Sequence, residues 1–190
     1  MSKAVFLDRD GVINRLVYNP NTKEYEAPQN SNDLELFEWS LKALQVLYKK
    51  DYELFLVSNQ PDYAKGKTTL ENLKEVHDKL HKYFINNGLI FKEYFYCYHH
   101  PEGVIHEYSI KCKCRKPNPF KVLKAIKEYQ IDITESWFIG DRDSDILCGQ
   151  ASGLTTLLIN NEHSKSKSRK SKPDFRAGNL LEAVHIIENN

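Results

Sequence analysis

The stretch Val5-Phe6-Leu7-Asp8-Arg9-Asp10-Gly11-Val12 decides the fold of this 190-residue chain. Its apolar part predicts a short buried strand, and two carboxylates separated by one residue follow at once. Side chains two apart on an extended backbone lean to the same side, so Asp8 and Asp10 are expected to lie close together. Two anions at that distance repel each other unless a cation joins them or one takes a proton. The stretch therefore indicates a divalent metal site, acid–base chemistry, or both.

Composition restricts the class of protein. The 27 Lys and Arg residues nearly balance the 26 Asp and Glu residues, so no overall field directs the chain to nucleic acid or to a membrane surface. No apolar run approaches the ~20 residues that cross a bilayer, and the N-terminal residues lack the charged and apolar regions of a signal peptide. We expect a single domain over residues 1–190, acting as a cytoplasmic monomer.

Strand and helix patterns alternate along the chain. Apolar runs predict strands at residues 53–57, 94–97, 137–140 and 154–159, and helical periodicity predicts helices between them, the first from about Phe37. Helix starts are indicated by Thr68 with Glu71 and by Asn179 with Glu182, which have capping-box spacing. This alternation predicts an α/β, Rossmann-like, three-layer fold with a central parallel sheet. Neither gap between the polar motifs is long enough for a large cap domain.

Polar side chains follow several of these strands. Ser58 and Asn59 end the second strand, and Asp141 and Asp145 follow the fourth. Arg115-Lys116 stands just before a helix predicted to begin at Asn118-Pro119, an end that attracts anions. Carboxylates suit magnesium, and a hydroxyl with cations suits phosphoryl oxygens, so the set indicates phosphoryl transfer. Because no Gly-rich nucleotide loop is present, hydrolysis of a phosphate ester is favoured over a kinase reaction.

A Cys–His pair and a Cys–Cys pair predict a structural zinc site. Cys97-x-His99 and Cys112-x-Cys114 are separated by a twelve-residue loop and supply three thiolates and one imidazole. All four ligand positions would be filled, so the metal would staple the loop over residues 97–114. His100 is an alternative to His99, and free cysteines beside a chance histidine are the other interpretation. Cys148 lies on a predicted helix and is interpreted as a small buried residue.

Three further features have competing interpretations. Residues 18–33 predict a long loop, either a solvated insertion or a rim over the active site, and we favour the rim. Residues 163–172 are basic and of low complexity, which favours a mobile solvated loop over a polyanion-binding segment. His77 and His81 are four apart but have no third ligand nearby, so we interpret them as surface histidines rather than a metal site.

The order of motifs resembles that of the haloacid dehalogenase (HAD) superfamily of phosphatases. These motifs are Asp8-x-Asp-Gly-Val, Ser58-Asn-Gln, Arg115-Lys-Pro and Gly140-Asp-x-x-x-Asp, and the match runs from about Ala4 to Ile159. Cys97-x-His-His-Pro and Cys112-x-Cys-Arg-Lys-Pro resemble the zinc-bearing branch. That branch contains the D-glycero-D-manno-heptose 1,7-bisphosphate phosphatases and the histidinol-phosphate phosphatases.

The resemblance implies a role for each motif residue. Asp8 would attack phosphorus to form an aspartyl-phosphate, and Asp10 would act as the general acid and base. Lys116 would offset the charge on the phosphoryl oxygens. The remaining implied roles are magnesium ligation by Asp8, the Asp10 carbonyl and Asp141; orientation by Asp145; phosphoryl binding by Ser58 and Asn59; and substrate binding, including a second phosphate, by Arg115.

The chain also departs from the branch. Many heptose phosphatases of the branch carry a Gly-Asp-Lys motif, and this chain has Arg142 at the position of that lysine. Arg142 is a second candidate for binding substrate. The implied activity is magnesium-dependent hydrolysis of a small sugar phosphate, with heptose 1,7-bisphosphate, losing its 7-phosphate in a lipopolysaccharide-precursor pathway, as the leading substrate. The alternatives are histidinol phosphate, a nucleic-acid 3′-end phosphate, and a zinc-stapled binding module without catalysis. Nucleic acid is disfavoured by the balanced charge.

Overall fold

The computed structural model describes residues 1–190 and contains eight strands and five α-helices. The strands are β1 (Lys3–Leu7), β2 (Val17–Asn19), β3 (Glu24–Glu26), β4 (Tyr52–Asn59), β5 (Phe91–Cys97), β6 (Trp137–Gly140), β7 (Thr155–Ile159) and β8 (Phe175–Ala177). The helices are α1 (Ser40–Lys49), α2 (Leu70–Asn86), α3 (Phe120–Glu128), α4 (Asp143–Ala151) and α5 (Leu180–Glu188). None of the helices is both long and apolar enough to cross a membrane.

Six of the strands form one parallel sheet in the order β5-β4-β1-β6-β7-β8. The chain first builds outward from β1 through β4 and β5, and it then returns to the other side of β1 with β6. Loops therefore diverge at the carboxyl ends of β1 and β6, and open α/β sheets bind ligands in the crevice formed there. Asp8 follows β1 and Asp141 follows β6, so the topology places both carboxylates at this crevice.

The two faces of the sheet form separate cores. Alternate residues of β1 divide between them: Val5 and Leu7 join a cluster covered by α1, α2 and α5, whereas Ala4 and Phe6 join a smaller cluster covered by α3 and α4. Phe6 stacks on Phe55 at a centroid distance of 4.8 Å, in a row of phenylalanines on the second face. The alternation confirms the predicted Rossmann-like three-layer fold, since a parallel sheet is stable when both faces are covered.

Three helix starts differ from their predicted positions. Helix α3 begins at Phe120, one residue later than predicted, and the Asn118 side chain accepts the Phe120 N–H at 3.0 Å. Helix α1 begins at Ser40, because Phe37 donates its N–H and Ser40 its hydroxyl to the Ile13 carbonyl, which holds the chain before the helix. The cap of α2 is Thr69, whose hydroxyl accepts the N–H of Asn72 at 3.1 Å, one residue later than the capping-box spacing indicated.

The two segments predicted as loops carry structure. Within residues 18–33, β2 and β3 form an antiparallel hairpin, and a 3-10 turn spans Ser31–Asp33. The segment is thus a hairpin rather than an irregular loop, which its sequence hid because it lacks the alternating apolar pattern of a sheet strand. Residues 24–27 line the cleft, as the favoured rim interpretation expected. The basic segment, taken here as residues 161–172, contains a 3-10 helix, Glu162–Lys167, and buries Ser164 and Ser171. Most of its side chains are exposed, as the prediction of a solvated loop expected, and the two buried serines attach it to the rest of the chain.

Candidate active site

Three buried charges occupy the floor of the cleft at the end of β1. The Lys116 ammonium lies 2.9 Å from Asp8 and 2.7 Å from Asp145, and it also donates to the Val57 carbonyl. Burial alone would lower the pKa of Lys116, but the carboxylates of Asp145 and Asp8 outweigh it and hold that pKa above its usual range. Lys116 is therefore a permanent cation next to Asp8.

Asp10 is held by a network of donors. Arg9 and Asn14 each donate to one of its oxygens at 3.0 Å, and the Gln60 amide donates to the other at 2.5 Å. The Gln60 carbonyl accepts from Arg9 at 2.9 Å, which closes the network. Burial alone would raise the pKa of Asp10, but the Arg9 guanidinium and these hydrogen bonds outweigh it and lower that pKa. The Asp10 carboxylate is thus fixed in position and held in its ionised form.

Asp141 meets the requirements of a metal ligand. It is fully buried, and one of its oxygens accepts from Ser164 while the other has no hydrogen-bond partner. Burial raises the pKa of Asp141 to about 8, against the attraction of Arg142. A side chain at Gly11 would place its Cβ 2.1 Å from an Asp141 oxygen, and Gly11 has φ +87°, so only glycine permits this approach.

A hard divalent cation fits this donor set. Oxygens of Asp8, Asp141 and Asp145 lie within 4.8 Å of one another, and the Asp10 main-chain carbonyl accepts no protein hydrogen bond. Asp145 is already engaged, because one oxygen faces Lys116 and the other accepts the Arg142 N–H at 3.0 Å. Asp8, the Asp10 carbonyl and Asp141 are consequently the groups free to hold magnesium.

Ser58 and Asn59 lie beside these groups but differ in what they can offer. The Ser58 hydroxyl accepts from Gln60 at 2.9 Å, so its own proton is free to donate to a phosphoryl oxygen. The Asn59 side chain donates to the Lys116 carbonyl at 3.1 Å and accepts the Lys116 N–H at 3.0 Å. This paired bond positions Lys116 and leaves Asn59 little capacity to bind a ligand with its side chain.

The four predicted zinc ligands come together next to the cleft. The sulfur–sulfur distances among Cys97, Cys112 and Cys114 are 3.5, 3.3 and 3.2 Å, and the His99 Nδ1 lies 3.3 Å from the Cys114 sulfur. These distances far exceed a disulfide bond of about 2.05 Å and approach the roughly 3.7 Å edge of a tetrahedral zinc–thiolate site. His100 uses its Nδ1 to accept the Glu102 N–H, so the geometry selects His99.

The zinc loop supports two parts of the cleft wall. Arg115 follows the last thiolate directly and donates to the His99 carbonyl at 3.3 Å. On the other side, the Ala64 carbonyl accepts the N–H groups of Val104 and Ile105 at 2.7 and 3.0 Å. The loop thereby holds Arg115 and supports the turn that contains Lys65. A metal that orders the loop would therefore fix the positions of these two cleft residues as well as stabilise the fold.

These elements enclose a polar cavity of about 170 Å³ above Asp8. Of the predicted site residues, seven line it: Asp8, Asp10, Asn59, Arg115, Lys116, Arg142 and Asp145. Ser58 and Asp141 lie buried beside it. Cys148 is buried, as predicted, and its thiol approaches the Asn118 carbonyl. His77 and His81 lie away from the cavity, bonded to Tyr96 and Tyr94 of β5.

Sequence reasoning missed several residues of the cleft. Arg9 and Gln60 stand inside quoted motifs but received no role, and only their pairing across 51 residues shows what they do. Ser164 and Lys167 come from the basic segment, whose composition hides any contact with the site. The hairpin contributes Glu26, which is buried and accepts from Lys67, Asn19, Thr22 and Gln29.

Comparisons with known proteins agree with this geometry. The HAD-hydrolase-like family matches residues 113–183. The D-glycero-beta-D-manno-heptose-1,7-bisphosphate 7-phosphatase of Vibrio cholerae is 33% identical over 95% of this chain and 89% of its own length. The D-glycero-alpha-D-manno-heptose-1,7-bisphosphate 7-phosphatase of Photorhabdus laumondii is 30% identical over 98% of this chain and 97% of its own length.

A solved structure shares the fold over its whole length. The D,D-heptose 1,7-bisphosphate phosphatase from B. bronchiseptica, complexed with magnesium and phosphate, has a TM-score of 0.79 and 22% identity, with 98% of each chain covered. The full-length match to curated relatives at 30% identity or more carries the assignment. The chain belongs to the HAD-like phosphatases, in the group of the heptose-1,7-bisphosphate 7-phosphatases.

Proposed function

We propose that this protein is a magnesium-dependent phosphatase that removes the 7-phosphate of D-glycero-D-manno-heptose 1,7-bisphosphate. The observation that carries the proposal is that the charges on the floor of the cleft are paired, whereas two cations on its walls are not. Asp8 and Asp145 are paired with Lys116 on the floor, whereas Lys65 and Arg115 on the walls have no carboxylate within 4.0 Å. A substrate with one phosphate at Asp8 and a second anion nearby suits this arrangement.

The floor supplies the groups for a two-step reaction. An Asp8 oxygen attacks phosphorus and the bond from phosphorus to the sugar oxygen breaks. Asp10, which takes up a proton because the negative charge of the bound phosphate raises its pKa, gives that proton to the departing alkoxide. Water then attacks the aspartyl-phosphate, Asp10 takes a proton from that water, and inorganic phosphate leaves with Asp8 restored. When bound by Asp8, the Asp10 carbonyl and Asp141, magnesium neutralises charge on the phosphoryl group.

Residues around the floor hold the phosphoryl oxygens and the acid–base group. The Lys116 ammonium lies beside Asp8, and the Ser58 hydroxyl at the end of the neighbouring strand β4 has a free proton. Both stabilise negative charge as it moves between the phosphoryl oxygens. Arg9, Asn14 and Gln60 fix Asp10, so the proton is delivered and collected at one position. Zinc at Cys97, His99, Cys112 and Cys114 keeps Arg115 and the turn of Lys65 in place.

Histidinol phosphate is the second candidate. Asp62 favours it, because this buried carboxylate lines the cavity and has no side-chain hydrogen bond, so its anion would suit an ammonium group. Burial raises the pKa of Asp62, which reduces that anionic form, and the unpaired Lys65 and Arg115 repel an amine. The bisphosphate is therefore preferred.

Phosphate release from a substrate panel tests the proposal. The panel contains heptose 1,7-bisphosphate, histidinol phosphate, fructose 1,6-bisphosphate and a 3′-phosphorylated oligonucleotide, each with magnesium and with EDTA. We expect the largest kcat/KM for the heptose bisphosphate, and none of these activities in EDTA. A larger kcat/KM for histidinol phosphate or the oligonucleotide would overturn the substrate, and full activity in EDTA would overturn the metal dependence.

A further inference from the structure

The basic segment, residues 161–172, is attached to the catalytic floor at several points. Ser164 donates to Asp141, and the Asn161 amide donates to the Gly11 carbonyl at 3.1 Å. At the far end, Ser171 donates its N–H and its hydroxyl to Asp143 at 2.7 and 2.6 Å. A segment held at both ends and in the middle presents its side chains in defined directions.

The same segment also contacts the hairpin across the cleft. The His163 ring stacks on Tyr25 of β3 with centroids 3.5 Å apart and planes 11° from parallel. One turn later, Lys167 lines the active-site cavity and lies 3.9 Å from Glu24 of the same strand. The basic segment and the hairpin thus form one wall of the cleft, with an ammonium group facing into it.

Three cations at and beside this wall, those of Lys167, Arg142 and Lys65, make no ion pair shorter than 3.7 Å. Burial lowers the pKa of Lys167, and repulsion from Arg142 and Lys65 lowers it further, while Glu24 and Asp141 act in the opposite direction. Arg142 has only a 3.7 Å approach to Asp141, and its Nε makes no hydrogen bond. Lys65 has no carboxylate within 4.0 Å. Of the other carboxylates that line the cavity, Glu26 pairs with Lys67, and burial raises the pKa of Asp62. Lys167, which both other cations repel, therefore lies with them at a site suited to an additional anion.

We propose that Lys167, together with Lys65 and Arg142, binds the phosphate of the substrate that is not transferred, and that Lys167 is the specificity-determining residue for a bisphosphate. This inference rests on the proposed function. Lys116 and Ser58 already serve the transferred phosphate at Asp8, so the wall cations are free for the other one. The composition of residues 163–172 is therefore a substrate-binding feature.

A matched pair of substrates isolates this role. Heptose 1,7-bisphosphate and heptose 7-phosphate share the scissile phosphate and differ only in the distal one. For Lys167→Gln we expect the ratio of their kcat/KM values to fall about tenfold, mainly through a higher KM for the bisphosphate, which is the cost of one charge-assisted hydrogen bond. Lys165→Gln, two residues away and exposed, is the control and is expected to keep the wild-type ratio.

Binding of heptose 1-phosphate gives a readout that does not depend on turnover. This product carries only the distal phosphate, and its Kd by calorimetry is expected to rise about tenfold in Lys167→Gln. Equal losses for both substrates, or an unchanged product Kd, would overturn the role of Lys167 while the phosphatase assignment stands. A wild-type enzyme that cleaves the two substrates equally well would likewise overturn the inference alone. An enzyme that cleaves neither would overturn the proposed function, and the inference with it.

Discussion

The floor and the wall of the cleft are built in different ways. The floor joins Asp8, which follows β1, to Lys116 in the loop before α3 and Asp145 in α4. These three residues are nearly inaccessible to solvent and are paired at 2.7–2.9 Å. The wall consists of the hairpin, the zinc loop and the basic segment. There the Lys167–Glu24 pair is at 3.9 Å, and the two side chains are 44% and 63% exposed. Rigid, fully paired groups suit bond breaking, whereas loosely paired cations suit the exchange of one anion for another.

This contrast predicts that floor variants change kcat and wall variants change KM. Asp8→Asn should have the largest effect and lower kcat by roughly 10³-fold or more, because an amide cannot attack phosphorus. Lys116 keeps Asp145 as its partner, so the fold should remain. Steady-state phosphate release and thermal melting check both statements.

Asp78→Asn is the matched control for that substitution. Asp78 lies exposed on α2, where it pairs with Lys74, and it should keep wild-type kcat. Turnover by Asp8→Asn above one hundredth of the wild-type value would remove Asp8 from the role of nucleophile.

Gln60→Leu should have the next largest effect. It removes the amide that links Asp10 and Arg9, and the loss of a charge-assisted hydrogen bond, about 1.5–3 kcal/mol, corresponds to roughly a 10- to 100-fold decrease in kcat. KM for the bisphosphate should change little, and Gln45→Leu on α1 should behave like the wild type. A change confined to KM would show that Gln60 belongs functionally to the wall.

Cys112→Ser tests the wall through the zinc loop. We expect zinc content by mass spectrometry to fall from about one per chain, unfolding free energy to fall by roughly 3 kcal/mol, and KM to rise more than kcat falls, because Arg115 and Lys65 lose their support. Cys148→Ala also removes a cysteine but should leave zinc content unchanged. Metal-free wild-type protein with the same melting temperature as the zinc-loaded form would refute the structural role.

Ser164→Ala should have the smallest effect. It tests whether the basic segment, which belongs to the wall, also supports the floor. It removes the hydroxyl that orients Asp141, so we expect magnesium affinity by calorimetry to weaken about three- to tenfold with KM at saturating magnesium unchanged. Ser166→Ala, an exposed neighbour, is the control. Unaltered magnesium affinity would mean that the basic segment contacts the floor without serving it.

The same division explains what could be predicted from the sequence. Asp8, Asp10 and Asp141 follow apolar strands directly, so a local pattern located them, and the spacing of Cys97, His99, Cys112 and Cys114 is equally local. The contacts of Gln60 with Arg9 and of Ser164 with Asp141 join residues 51 and 23 positions apart and leave no periodic signal. The hairpin escaped prediction because its two short strands pack on the cleft rather than on a core.

The position of phosphate loss tests the central claim most directly. ³¹P NMR of heptose 1,7-bisphosphate, incubated with the enzyme and magnesium, follows the two phosphates separately. We predict that the C7 resonance disappears as inorganic phosphate grows, while the C1 resonance remains. Loss of the C1 phosphate, or no reaction while histidinol phosphate is hydrolysed, would contradict the account.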